Sequence, residues 1–259
     1  MKEYHVHTFR CKHAVGDVSD YAKSACKNGY EVLGISDHTP LPDNFNPEIR
    51  MSKSEIGNYI NAFKEAQEKY PCLKIIKGME CEYFKEYHNF YMEELREKWG
   101  LRYLILGQHI FRSGNEWICF WKGLKGLKEL KAYTNSLIEG IGSGVFDFVA
   151  HPDIFGAFYA PWDAEAMACS RAILDAARDM GLPIELNTHG FRKPKIDIAG
   201  IRRYLYPLNP FWELVSDYSI PVIVSSDAHN PEDLGAGIDE AYKIVSRYHL
   251  TLADLTYLE

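Results

Sequence analysis

Seven histidines and two acids stand at the ends of short apolar runs. Imidazole and carboxylate are donors that Zn, Mn and Fe take from proteins. His5 and His7 alternate in His5-Val6-His7, so both rings leave one face of an extended segment and reach one ion. His13 follows in the next loop. His38 lies in Ser36-Asp37-His38-Thr39, Glu80 in Gly78-Met79-Glu80 and His109 in Gly107-Gln108-His109. His151 lies in Ala150-His151-Pro152-Asp153, and Asp227 and His229 in Ser225-Ser226-Asp227-Ala228-His229. Any one of these is weak evidence, because a lone loop histidine is usually a surface or core residue. Together they are more donors than a structural zinc site uses, and Cys is not the supplier here. Such a nitrogen and oxygen set suits two or three divalent ions, with a carboxylate shared between two of them. Ion clusters of this kind generate hydroxide at neutral pH and hold a phosphoryl oxygen. His88 and His249 stand at no strand end and read as surface residues. Cys11 and Cys81 adjoin donors but read as small buried hydrophobes.

One architecture gathers such loops at a single mouth. Short runs rich in Val, Ile and Leu read as strands buried on both faces: Glu31–Ser36, Leu73–Gly78, Leu101–Gly107, Val145–Ala150, Leu182–Leu186 and Pro221–Ser225. Tyr4–His7 makes a seventh. Helical patterns lie between them, at Val18–Asn28, Ser52–Tyr70, Phe90–Trp99, Leu124–Ile141, Asp163–Met180, Pro210–Tyr218 and Asp233–Tyr248. Ser19 is the expected cap of the first, with Gly29 after its end; Asp163 opens another that stops at Gly181-Leu182-Pro183. Repeated βα alternation predicts an α/β fold with a parallel sheet. At 259 residues, with no linker or repeat, one nearly closed (β/α) barrel is the expected single domain, its site at the C-terminal ends of the strands.

Composition narrows the function. The chain is 46% apolar and its formal net charge is -7, from 29 basic and 36 acidic residues, which argues against a nucleic-acid footprint. Six Cys without a CxxC pair fit a reducing compartment, not a disulfide scaffold. No apolar run is long enough to span a membrane, and the first residues carry no leader-like apolar stretch, so a cytoplasmic location is expected. Three divalent ions would add 6 charges, taking -7 to about -1 and giving an acidic protein a positive mouth for an anion.

The ordered set HxH, a His eight residues after the first, SDH, GxE, the later His, HPD and SDAH resembles the polymerase-and-histidinol-phosphatase (PHP) superfamily of phosphoesterases over the whole chain. Within it the chain is most similar to the histidinol-phosphate phosphatase branch. Three stretches carry that similarity. They are His7-Thr8-Phe9-Arg10-Cys11-Lys12-His13; Asp37-His38-Thr39-Pro40-Leu41-Pro42 with Arg50-Met51-Ser52 and Tyr59; and Glu185-Leu186-Asn187-Thr188-His189-Gly190-Phe191-Arg192-Lys193. Gln108 and His189 depart from the pattern without touching a matched donor. The resemblance implies a distorted (β/α)7 barrel with up to three metals. It implies one ion on His5, His7, Glu80 and Asp227, a second on Glu80, His109 and His151, and a third on His13, His38 and His229. It also implies hydrolysis of L-histidinol phosphate to L-histidinol and phosphate, with a hydroxide held between two ions as the expected nucleophile.

Further roles follow as expectations. Arg192 is the candidate phosphate clamp, since guanidinium matches phosphate geometry; Lys193 and Arg10 are weaker ones. Asp153 is expected to protonate the leaving alcohol or to orient a ligand imidazole. Asp37 reads as a supporting residue, and Glu82 as a partner for the substrate ammonium. The rival readings are a PHP enzyme acting on another small ester or nucleotide, a non-catalytic module with missing donors, and an amidohydrolase on a related barrel. The second conflicts with the complete donor set. The third lacks a strand-end lysine other than Lys77.

Overall fold

The computed structural model describes residues 1–119, 126–157, 159, 161–198 and 200–259. Seven short strands form one sheet: β1 (Lys2–Glu3), β2 (Val32–Ile35), β3 (Lys74–Cys81), β4 (Tyr103–Leu106), β7 (Phe148–Val149), β8 (Ile184–Asn187) and β11 (Val222–Ser225), neighbours in that order. Registers are parallel, with Glu3 opposite Leu33, Ile35 opposite Lys77 and Val149 opposite Ile184. Past the last strand, Ala228 makes a parallel bridge to Val6, past the first. The topology is a nearly closed seven-stranded parallel barrel, as the βα alternation predicts.

The chain packs as two compact units. The first holds Met1–Ile105, Ser225–Ala236 and Asp254–Glu259. Its helices are α1 (Val18–Lys27), α2 (Ile56–Lys69) and a wide helix, Phe90–Lys98. Asp17, not Ser19, caps α1; it forms a capping box with Asp20, because a residue one place inside the helix cannot turn back on the first turn. Tyr103 fills the floor of this unit, donating its hydroxyl to the Tyr4 carbonyl at 2.7 Å. Gly34 and Gly78 make the room. A methyl on Gly78 would stand 2.3 Å from the Tyr103 ring, and one on Gly34 2.4 Å from its hydroxyl. Gly78→Ala is therefore expected to lower the unfolding free energy by about 1–3 kcal/mol, read from a denaturant midpoint. Gly142→Ala, at an exposed helix end where nothing lies within 4 Å, should raise it slightly.

The second unit holds Leu106–Val224 and Gly237–Ala253. Here α3 (Leu127–Gly142) packs on α4 (Ala164–Met180), and α5 (Asn209–Val215) and α6 (Ile238–Arg247) follow. Leu124 and Lys125, the expected start of α3, lie outside the described residues. Asp163 caps α4 by accepting from the Glu165 and Ala166 amides, and Gly181 ends it in left-handed backbone. Phe111, Tyr133, Phe155 and Trp212 form much of the buried core.

Several boundaries differ from the sequence reading. The first strand ladder starts at Lys2 rather than Tyr4. The third runs on to Cys81, so Glu80 lies inside a strand: the His38 to Glu80 bridge continues the pairing. The last helix starts at Ile238, because Gly235 and Gly237 take positive φ before it. Two hairpins were not expected: β5 (Ile110–Ser113) with β6 (Glu116–Cys119), and β9 (Ile196–Ile198) with β10 (Ile201–Arg203). Ser113-Gly114-Asn115 is the turn signal of the first, and Gly200, at positive φ, that of the second. Among the described residues, no helix is long and apolar enough to cross a membrane.

Candidate metal centre

In the first unit the chain past β1 stays extended, so His5 and His7 face one side, both buried. Their Nε2 atoms stand 3.1 Å apart. Glu80 Oε2 lies 3.5 Å from His5 Nε2, 3.4 Å from His7 Nε2 and 3.0 Å from His38 Nδ1. Asp227 Oδ1 lies 3.2 Å from His7 Nε2, 3.6 Å from His5 Nε2 and 3.5 Å from His229 Nδ1. The rings of His13, His38 and His229 gather beside them. His13 lies 4.8 Å from His229 and 5.4 Å from His38, and His7 is 4.5 Å from His38. His13 Nδ1 is 2.6 Å from the Cys11 carbonyl and His229 Nδ1 3.0 Å from the Asp227 carbonyl, so a proton at Nδ1 leaves each Nε2 lone pair open.

Burial keeps two of these rings, His7 and His229, neutral. Burial pushes His7 down to about 3, helped by the charge of a protonated His38, and burial holds His229 well below its ordinary value. Two buried carboxylates thus meet imidazole nitrogens at 3.0–3.6 Å, among them the neutral His7, and two buried negative charges need a cation to offset them. A divalent cation fits this donor set, because imidazole ligates only in its neutral form. His5, His7 and Glu80 offer donor atoms all within 4.8 Å of one another, as do His7, His38 and His229. Cys11 Sγ joins His13 and His229 at the same spacing. Burial pushes that thiol up to about 12, so it stays protonated and a poor ligand on its own.

Neighbouring residues fix the loops. Asp37 accepts from Thr8, from the amide at 2.8 Å and the hydroxyl at 2.5 Å, and burial pushes its carboxyl up to about 7. It ties the end of β2 to the HxH segment and is 4.0 Å from His7 Nδ1. Two expectations change here. Glu82 is buried and takes Arg50 as its cation, through bonds of 2.9 and 3.2 Å, so it is not presented to a substrate ammonium. Arg10 pairs with Asp17 and bonds Thr8 Oγ1, its guanidinium over the Phe9 ring, so it braces a loop and leaves phosphate binding to others. Arg50 also donates to the Thr39 carbonyl, and Thr39 donates twice to the Glu80 carbonyl. The pair therefore clamps His38 and Glu80 together. Arg50→Ala leaves Glu82 charged and buried, an expected cost of about 3–5 kcal/mol. Arg50→Met with Glu82→Leu should recover much of it, read by a double-mutant cycle in denaturant.

In the second unit, His109 and His151 lie with ring centroids 4.9 Å apart. His151 sits in left-handed backbone, φ 31°, an uncommon conformation outside Gly and Asn. Gln108 is buried and donates to the Ile110 carbonyl, anchoring β5 beside His109. Asp153 accepts from the Leu208 amide at 2.6 Å and Trp212 Nε1 at 2.9 Å; burial raises it to about 6. Its other oxygen, Oδ1, is buried without a hydrogen-bond partner among the described residues. Arg192, half-buried on the turn after β8, lies with Nη2 2.7 Å from His189 Nδ1, which fixes that nitrogen as an acceptor. Lys193, next to it, is exposed.

The PHP domain family model matches residues 3–189, well over half the chain. A Deinococcus radiodurans protein named probable histidinol-phosphatase is 27% identical over 92% of this chain and 90% of its own length. The Bacillus subtilis histidinol-phosphatase is 24% identical over 90% of this chain and 95% of its own. The crystal structure of histidinol phosphate phosphatase from Lactococcus lactis, complexed with Zn, L-histidinol and phosphate, superposes with a TM-score of 0.73 at 15% identity, covering 100% of this chain and 97% of that one. The last of these shows a shared fold. The match over residues 3–189 places the chain: it belongs to the PHP domain family.

Proposed function

We propose that the chain is a metal-dependent histidinol-phosphatase, which hydrolyses the monoester L-histidinol phosphate to L-histidinol and phosphate. The observation that carries the reading is the convergence of the buried His5 and His7 on the carboxylates of Glu80 and Asp227, with His7 held neutral by burial. The substrate is supported by near full-length likeness to the Deinococcus and Bacillus histidinol-phosphatases, and by the histidinol and phosphate held in the Lactococcus protein. We take residues 1–259 as one phosphatase domain serving histidine biosynthesis in the cytoplasm, with a small molecule and not nucleic acid as its partner.

His5, His7, Glu80 and Asp227 would hold one ion; Glu80 with His109 and His151 a second; His13, His38 and His229 a third. Bound divalent ions neutralise phosphoryl charge and make water a stronger nucleophile. The chain's own residues then have separate tasks. Glu80 and Asp227 bring the negative charge that retains cations. Arg192 binds the phosphate, with Lys193 adding positive charge at the rim. As the oxygen of water bonds to phosphorus, the bond from phosphorus to the alcohol oxygen breaks, and that oxygen needs a proton. Asp153, raised by burial to about 6, is protonated at neutral pH far more often than an ordinary aspartate and is the proposed donor. Arg192→Ala should lower kcat/KM by about 10²-fold, equivalent to about 2.7 kcal/mol; unchanged kinetics would make it a surface residue.

The test is phosphate release from L-histidinol phosphate beside a panel of nucleotides, sugar phosphates and phosphodiesters, with and without added Zn or Mn. Preference for L-histidinol phosphate supports the assignment. Faster release from another ester replaces the substrate, and no release from any overturns the enzyme.

A further inference from the structure

We infer that two buried carboxylates outside the donor set, Glu3 and Glu185, are positioning residues: each holds the backbone of a segment that carries metal donors. The inference rests on the metallophosphatase reading above. Glu3 is fully buried on β1. Its Oε1 accepts from the Tyr4 and His5 amides, both at 3.1 Å, and its two oxygens lie 3.2 and 3.0 Å from the Ser226 amide. One carboxylate thus joins the backbone of His5 to that of Ser226, which precedes Asp227 and lies 223 positions from Glu3 in sequence. Asp227 stands at φ 47°, in left-handed backbone that L-residues avoid unless their surroundings enforce it. In the other unit, Glu185 is also fully buried. Its Oε2 accepts from the His151 amide at 2.9 Å and from Asn187 Nδ2 at 3.0 Å. His151 is at φ 31°. In each case a charged acceptor sits on the amide of a donor-bearing turn whose backbone is strained.

Neutral acceptors would satisfy these amides at a lower desolvation cost, since a buried charge is expensive unless well bonded. A charge does two things that a neutral group does not. It bonds amides about twice as strongly, and it adds negative potential beside a cation site. Both favour metal binding without a bond to metal. Groups that orient metal ligands in this way typically contribute about 10–100-fold in metal affinity.

The test is Zn2+ binding to metal-free wild type, Glu3→Gln and Glu185→Gln, by competition with a chromophoric chelator, with thermal unfolding of each metal-free protein alongside. Glutamine keeps shape and removes charge. Each variant should bind about 10–100-fold more weakly while its metal-free melting stays within a few degrees of wild type. At saturating metal, kcat should fall with KM unchanged. Affinity equal to wild type in a variant overturns the role of that residue. A variant too unstable to purify leaves the decision to the wild type. There, the amide protons of His5, Ser226 and His151 must be strongly protected from exchange in 15N-labelled protein, and rapid exchange overturns the braces. A wild type that binds no Zn2+ overturns the metallophosphatase reading itself, whereas intact wild-type binding with unaltered variants overturns only this inference.

Discussion

Asp227→Asn is expected to cut turnover of L-histidinol phosphate by on the order of 10³-fold or more, about 4 kcal/mol of lost transition-state stabilisation. The fold should survive, for a backbone reason. Asp227 sits at φ 47°, and Asn is among the few residues that enter left-handed backbone readily. The amide also keeps the size of the carboxyl. What changes is charge. Asp227 Oδ1 lies 3.2 Å from His7 Nε2 and 3.6 Å from His5 Nε2, and an imidazole supplies no negative charge. Removing it leaves Glu80 as the only carboxylate of the four donors proposed for that ion. Steady-state kinetics with added metal measures the loss, and circular dichroism with thermal unfolding checks the fold. Near wild-type turnover would remove Asp227 from the metal centre. Asp227→Ala is the less informative variant, because it disturbs the strained backbone as well as the charge.

How far the sequence foretold this site depends on the range of each interaction. The gathering of His5, His7, His38, Glu80, Asp227 and His229 was legible because it follows chain-local rules: short apolar runs give strands, alternation puts His5 and His7 on one face, and a barrel gathers strand ends. Helix ends were legible where a capping residue lay next to the helix, as at Asp163, and misplaced at α1, where Asp17 stands just ahead of the expected Ser19. The pairings that fix the donors were not legible. Glu82 reads as a mouth residue from its spacing to Glu80, yet Arg50, 32 residues earlier, claims it. Arg10 reads as a cation near the first motif, yet Asp17 neutralises it. Nothing local reveals which of several charges meet in three dimensions. Glu3 did leave a signal, however. It stands two places before His5 and four before His7, an acid in phase with the donors at the start of a strand. Glu185 leaves a related one, an acid between Ile184 and Leu186 in a short buried strand. An ionisable residue inside a short buried strand is expensive, and that expense marks a residue with work to do.

Removing the metal should cost the enzyme both activity and stability, by separable amounts. Exhaustive chelation is expected to abolish phosphate release, with recovery on adding Zn or Mn back. The fold should persist, because the apolar core of each unit, with Tyr103 in the first and Trp212 in the second, is built without the donors. Stability should still fall. An ion present at about 1,000 times its dissociation constant contributes about 4 kcal/mol by mass action. For a chain of this size, 1 kcal/mol moves the melting temperature by roughly 2–4 °C, so each tightly held ion is worth on the order of 10 °C. Stripping also leaves Glu80 and Asp227 buried beside the neutral His7 with no divalent cation to offset them, which adds to the loss. Acid should act in the same direction as chelation: protons compete for imidazole and carboxylate donors, so metal affinity falls as pH falls. Calorimetry of metal-free and reloaded protein, with metal content measured on the same samples, gives the comparison. Equal melting temperatures with measured metal in one sample only would show that the ions sit outside the buried cluster. Loss of activity without metal loss would show that the chelator acts elsewhere. The expected pair is a large fall in melting temperature together with complete, reversible inactivation, because one set of buried donors is responsible for both.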